Sequence, residues 1–271
     1  MPCLGSRLAS GKLSKAEAHT LVARDGQSLP DAWREAGLNP DLMGPDDVLL
    51  EASCFVELHV EQGRGLADVG HPVAIATAVR PHGRWRAEFT GQGNHAGTTL
   101  IPDRHDPVVP MAQTILAARE AAEREGCVTT VGRINVEPGG TNVIASAATM
   151  WLDCRAEESQ TVTKVVEDIQ QASETAADKQ GCQVVWTRES WTDRTAFDLR
   201  ARMLQILGED IPQLSTGAGH DAATLATTMP TGMLFVRNPT GASHCPAESA
   251  SDADCEAGAE ALQTVLEELV K

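Results

Sequence analysis

Residues 54–60, CFVELHV, alternate apolar and polar side chains, so the segment predicts a strand. Leu58 and Val60 fall on one face of the extended chain, and Glu57, His59 and the following Glu61 on the other. The apolar run PVAIATAV (72–79) predicts a second strand. Before them, residues 14–37 carry helical spacing in pieces, with DG and Pro30 marking a turn ahead of a second short helix. PDLMGPDD (40–47) reads as loop.

From Pro81 onward the pattern changes. GRWRAEFTG (83–91) alternates like a half-buried strand, and DPVVPMAQTILAAREAAEREG (106–126) repeats apolar residues at helical spacing before stopping at Gly126. Asp106 is the expected N-cap of this helix, with Pro107 as its first residue. VTTVGRINVEPGG (128–140) and ATMWLDCRAE (148–157) predict two strands joined by a turn. SQTVTKVVEDIQQASETAADKQG (159–181) predicts an amphipathic helix capped by Ser159 and closed by Gly181, and CQVVWTRES (182–190) a last strand. Strand–helix–strand–strand–helix–strand is the order of a ferredoxin-like α+β unit, one antiparallel sheet with two helices on one face. FDLRARMLQILG, GMLFVR (232–237) and residues 252–271 add helix, buried strand and helix. The expected architecture is an α/β body made of 1–80 and 191–271 with a unit, 81–190, inserted into it. A single continuous α/β domain is the alternative.

Composition narrows the function. The chain has 271 residues, enough for two ordinary domains, with 42% hydrophobic and 22% charged residues. A formal charge of −16 argues against nucleic acid as a partner, which would need clustered Lys and Arg. No apolar run has the length of a membrane span and MPCLGSRLASGK is no signal peptide, so a cytoplasmic protein with no membrane partner is expected. The seven cysteines are scattered without a C-x-x-C pair, which points to reduced thiols rather than a disulfide framework or a thiolate zinc site. Tyrosine is absent, which removes it as acid, base or oxyanion donor.

Polar residues concentrate among glycines in a few segments. In ELHVEQG (57–63), His59 between two carboxylates suits a zinc, manganese or cobalt ligand; a half-buried histidine satisfied by one hydrogen bond is the plainer reading. In TGQGNHAGTTLIPDRHDP (90–107), small neighbours leave His95 open to close approach, or the segment is a polar turn leading into the helix. In EPGGTNVIASAATMWLDCRAE (137–157), Asn142 follows a Gly-Gly turn and Arg155 ends an apolar strand. Arg is suited to bidentate capture of a carboxylate, whereas a surface pair with Glu157 or Glu158 would contribute only about 0–1 kcal/mol. His220 and Asp221 in STGAGHDAATLA (215–226) begin a helix after a glycine bend, and His244 in TGASHCPAES (240–249) follows a buried strand and another glycine loop. Ligands of α/β folds gather where strands end and such loops begin.

ELHVEQG, GNHAGTT with the downstream R.D, GGTNVI, LDCRA, GAGHDA and PTGMLFV with GASHCPAE occur here in an order that resembles the M20 metallopeptidase superfamily. The likeness is to its amidase/hydantoinase/carbamoylase branch, which includes N-carbamoyl-L-amino-acid hydrolases, allantoate amidohydrolases and β-alanine synthases. It spans essentially the whole chain; CLGSRLASGKL and FVRNPTGASHCPAE look closest to allantoate amidohydrolases.

The resemblance implies a catalytic domain with two divalent metal ions (Zn, Mn or Co) and an inserted dimerisation domain. It makes His59 a ligand of one ion and His244 of the other. His95 and Asn142 would donate hydrogen bonds to the oxyanion, with His95 reaching across a homodimer into the partner's site. Arg155 would bind the carboxylate of a small ureido substrate, with Gln62 and His220 lining the pocket. Metal-bound water can reach a pKa near ~7, and each oxyanion donor contributes roughly 3 kcal/mol.

One departure from the family is large. Family members carry an H-x-D strand end, a bridging Asp and a Glu pair, and PCLGSR resembles the stretch just after that pair. The expectation is therefore an N-terminally incomplete catalytic domain, either truncated or completed by a separate chain. By itself it would hold metal poorly and be inactive or nearly so. The alternatives are an M20 aminoacylase or exopeptidase, and a non-catalytic dimerisation or ligand-binding remnant.

Overall fold

In the computed structural model, which describes residues 3–23 and 25–271, short helices precede the first strand: α1 (Leu4–Ala9), α2 (Lys15–Thr20), α3 (Leu29–Glu35) and α4 (Asp47–Leu50). Then come β1 (Phe55–Val60), α5 (Gly65–Val69), β2 (Val73–Val79), β3 (His82–Thr90), β4 (Asn94–His95), α6 (Val108–Glu125), β5 (Val128–Glu137), β6 (Val143–Ile144) and β7 (Ala147–Arg155). The chain closes with α7 (Ser159–Lys179), β8 (Gln183–Thr192), β9 (Thr195–Ala196), α8 (Arg200–Leu207), β10 (Gln213–Thr216), α9 (Asp221–Leu225), β11 (Thr231–Val236) and α10 (Asp252–Leu269). It divides into two units, Met1–Val79 with Thr195–Lys271, and Arg80–Arg194.

The first unit is built on a mixed sheet ordered β1-β11-β2-β10, with β9 also on β2. β1 and β11 are parallel, as are β10 and β2, whereas β11 and β2 are antiparallel. Every residue of β11, TGMLFV, is buried, as expected of an interior strand covered on both faces. On one face Val56, Leu58, Val73 and Leu234 pack with residues of α8 and α10. On the other, Ala74, Met233 and Phe235 pack with Leu66 of α5 and Ala222 of α9. Burying a side chain such as Phe235 or Leu234 contributes about 1.5–3 kcal/mol. The alternation of β1 therefore sends Leu58 towards α10, where a Cβ on Gly258 would lie 3.3 Å from it. Glu57 goes towards α9, where it accepts from the N–H of Ala222.

The second unit has the antiparallel order β5-β7-β3-β8. Alternate residues Trp85, Ala87 and Phe89 of β3 and Met150, Leu152 and Cys154 of β7 are buried beneath α6 and α7. This is the ferredoxin-like arrangement that the periodicity of 83–190 predicts.

Local differences have local causes. Ser159 is the first residue of α7, not its cap; Glu158 precedes it with no side-chain cap bond. Asp106 lies one residue further out than expected, because α6 starts at Val108, yet its carboxylate still accepts from Val108 N–H at 3.0 Å. The expected loop 40–47 holds a 3-10 turn, Pro40–Leu42, and the start of α4, where Asp46 accepts from Val48 and Leu49. Among the described residues, no helix is long and apolar enough to cross a membrane.

Candidate functional site

Strand ends build the site in the first unit. Because β1 and β11 run parallel, Gln62 after β1 and the 238–244 loop after β11 leave the sheet at the same carboxyl end. His59 lies one residue inside the end of β1, paired with Phe235. His220 is the residue just before α9 and is buried.

Glu57, His59 and His220 come together here, with ligand-capable atoms of all three within 4.8 Å of one another. The two imidazoles meet edge to face with ring centres 4.7 Å apart. Glu57 Oε1 lies 3.2 Å from His220 Nδ1, and its Oε2 accepts from Ala222 N–H at 2.7 Å. Burial pushes the Glu57 carboxyl up, but the bonds from His220 and Ala222 outweigh it and hold the group below the ordinary glutamate range. The carboxylate is therefore charged at neutral pH. It orients His220, whose Nε2 lies 3.4 Å from the Thr216 hydroxyl.

The donor chemistry fits a divalent transition metal, since imidazole and carboxylate suit zinc, manganese and cobalt. His59 is the member best prepared to bind one: its Nδ1 meets the Val60 carbonyl at 2.7 Å, the kind of outer-shell bond that fixes a ligating imidazole, and Nε2 is the atom that would hold an ion. Glu57 and both nitrogens of His220 already have protein partners. Their arrangement holds a ring beside His59 as readily as it binds an ion.

His244 takes a different neighbour. Its Nε2 lies 3.2 Å from the Gln62 side-chain nitrogen, which also donates to the Ser243 hydroxyl at 2.9 Å. His244 has a left-handed backbone, φ 57°, with its N–H given to Glu248 Oε2 at 2.8 Å. Glu61 takes no part in the Glu57–His59–His220 cluster. Its buried carboxylate accepts from Gly65 N–H at 2.6 Å and Leu66 N–H at 2.9 Å, closing the first turn of α5.

In the second unit, β4 and β6 pair the NHAG and TNVI loops: His95 opposes Val143, and Ala96 N–H donates to Asn142 O at 3.0 Å. His95 and Asn142 are thus brought together on an exposed two-stranded ribbon. His95 Nδ1 accepts from Gly97 N–H at 3.0 Å, which puts the ring proton on Nε2 and makes that atom a donor. Arg104 pins the loop by donating to the Ala96 and Thr99 carbonyls. Arg155 is gripped by Asp153, Nε to Oδ1 at 2.6 Å and Nη2 to Oδ2 at 2.9 Å, and Arg84 reaches the same carboxylate at 3.2 Å.

Sequence reasoning missed Glu57 as the partner of His220, Glu248 as the brace of His244, Arg104 as the loop pin, and Asn238. The Glu57/His59 alternation, the acidic residue four beyond His244 and the Arg104 of the R.D downstream of GNHAGTT left a signal; the partners they take did not.

The sequence matches the family described as "Peptidase family M20/M25/M40" over residues 37–268. It is 36% identical to an N-carbamoyl-L-amino acid amidohydrolase of Geobacillus stearothermophilus over 269 residues, 96% of this chain and 65% of that protein. It is 27% identical to the allantoate amidohydrolase of Escherichia coli K12, over 98% of this chain and 66% of that protein. Among solved structures it is similar to AtUAH in complex with glyoxylate, with a TM-score of 0.79 and 30% identity, covering 99% of this chain and 67% of that one. The chain spans about two thirds of the length of these curated relatives, 65% and 66%.

Proposed function

Because this chain belongs to peptidase family M20/M25/M40, we propose that it is a metal-dependent hydrolase of linear carbamoyl or ureido C–N bonds. Its substrates are N-carbamoyl-L-amino acids or allantoate. The observation that carries this reading is the Glu57–His59–His220 cluster at the strand ends of a chain whose relatives are amidohydrolases of such bonds.

His59 Nε2 and, from the loop after β11, His244 would each hold one of two divalent ions, zinc, manganese or cobalt. Bound there, such ions supply an activated water near neutral pH and neutralise developing negative charge. The chain's own residues do the rest. Glu57 keeps His220 oriented, and His220 with Gln62 lines the pocket beside the ligands. His95 Nε2–H, the free donor left by the Gly97 bond, and the Asn142 side-chain amide, two preorganised dipoles, would stabilise the oxyanion, each worth roughly 3 kcal/mol. Arg155 binds the substrate carboxylate in a bidentate pair, exchanging or sharing its contact with Asp153. The 80–194 unit acts as dimerisation domain and lid, with His95 serving the partner's site in a homodimer.

The relatives give no support to the expectation that this chain is inactive by itself, so the test uses the chain as it stands. Purified protein is incubated with N-carbamoyl-L-amino acids, allantoate, N-acetyl amino acids and dipeptides, after chelation and after restoring Mn²⁺, Zn²⁺ or Co²⁺. Metal-restored hydrolysis of the ureido compounds is expected. Turnover confined to acetyl or peptide substrates would favour the aminoacylase or exopeptidase reading. A chain that binds no metal and turns over nothing would be a non-catalytic remnant.

A further inference from the structure

Asn238 is fully buried, two residues beyond β11, and its side-chain amide meets partners on every side. Its Nδ2 donates to the Glu61 carbonyl at 3.1 Å and to the Ala242 carbonyl at 2.8 Å. Its Oδ1 accepts from Thr240 N–H at 3.1 Å and Gly241 N–H at 3.2 Å, and the Thr240 hydroxyl lies 2.9 Å away. Both donor sites of the amide are used, in two directions: one to the end of β1, the other back into the 238–244 turn.

Those two directions join the chain segments that carry Gln62 and His244. Glu61, whose carbonyl Asn238 holds, precedes Gln62, and Ala242, whose carbonyl it also holds, lies two residues before His244. The Gln62–Ser243 and Gln62–His244 contacts bridge the same two segments further out, nearer solvent. The turn is tightly seated: Gly241 has φ +66°, and a Cβ there would fall 2.2 Å from Arg64 Cγ. A buried apolar residue could fill this space, but it could not fix the separation of two backbone segments at opposite ends of the chain.

We propose that Asn238 is a positioning residue: it clamps the 238–244 turn onto the end of β1 and thereby sets the His244 imidazole against Gln62. This deepens the metal-site reading and rests on it for its functional meaning. With the Gln62 nitrogen donating in the metal-free protein, His244 Nε2 accepts and Nδ1 carries the proton; an ion bound at His244 would take the Nε2 lone pair in place of the Gln62 amide. Asn238 touches neither ring nor ligand; it acts through the two loops.

The test compares wild type, Asn238→Ala, His244→Ala and the double variant, with Thr240→Ala as a milder lesion. In the metal-free protein, nitrogen NMR of the His244 ring, assigned with His244→Ala, should show one tautomer in wild type and a mixed population in Asn238→Ala. In a Co²⁺ titration followed by visible absorption, Asn238→Ala should bind at least about tenfold more weakly, and the double variant no more weakly than His244→Ala alone. An unchanged His244 signature, or a loss of affinity that adds fully to that of His244→Ala, overturns the inference. If Asn238→Ala does not fold, Thr240→Ala must shift the His244 signals in the same direction, and unshifted signals overturn it. Wild type that binds no Co²⁺ refutes the metal reading, while the ring signals still decide the role of Asn238.

Discussion

Replacing Glu57 by alanine tests whether the candidate centre is held by the bonds described. The change deletes two hydrogen bonds to one carboxylate, from the His220 ring and from the Ala222 N–H. Bonds to charged groups contribute about 1.5–3 kcal/mol each. Glu57 is half-buried, so water can replace part of what is lost at its side. The His220 side chain is only 1% exposed and its Nδ1 would be left without a partner. The expected cost is about 2–4 kcal/mol, a large share of the 5–15 kcal/mol typical of a domain. Native-state amide hydrogen exchange suits a chain with two units, because it reports each segment separately. Peptides over 55–62 and 216–226 should exchange roughly 30- to 700-fold faster, since each 1.4 kcal/mol is a factor of ten. Peptides over 128–137, in the other unit, serve as the unchanged control. Glu57→Gln, which keeps an acceptor for Ala222 N–H, should cost only about 1 kcal/mol. An acceleration below about threefold in Glu57→Ala, about 0.7 kcal/mol, would refute the claim that this carboxylate holds His220.

Asp153 gives a pH dependence. Burial pushes its carboxyl up, but Arg155 and Arg84 outweigh this and hold it below the usual aspartate range. A depressed folded-state pKa contributes stability above the unfolded value of about 3.9 that is lost as pH falls through the folded value. Asp153→Asn should therefore melt earlier than wild type at pH 7, with the gap closing below about pH 4, followed through Trp85, Trp151, Trp186 and Trp191; a gap that persists in acid contradicts it. Gly258→Ala sets two effects in opposition. Alanine gains about 1 kcal/mol of helix propensity, but its Cβ would stand 2.4 Å from Val236 Cγ2 in a full core, and overpacking costs about 1–3 kcal/mol. Packing should win, lowering the melting temperature of the first unit; a stabilised variant would show that α10 is not pressed on the sheet as described.

Periodicity determined most of the secondary structure and the ferredoxin-like unit, because alternation in β3 and β7 and helical spacing in α6 and α7 are written locally, one residue against the next. The order of short motifs likewise points to the family. What only the tertiary structure decided are relations between distant segments. ELHVEQG looks like one polar row, yet Glu57 and His59 meet His220 at the start of α9 while the Glu61 carboxylate is taken up in closing the first turn of α5. The two-residue strands β4 and β6 are too short to carry a period, although they seat His95 beside Asn142. Nothing near Asn238 in the chain announces that its amide will reach Glu61, 177 residues away. Hydrophobic pattern is a property of neighbours along the chain, whereas a polar side chain takes its partner from whatever the packed sheets bring within about 3 Å.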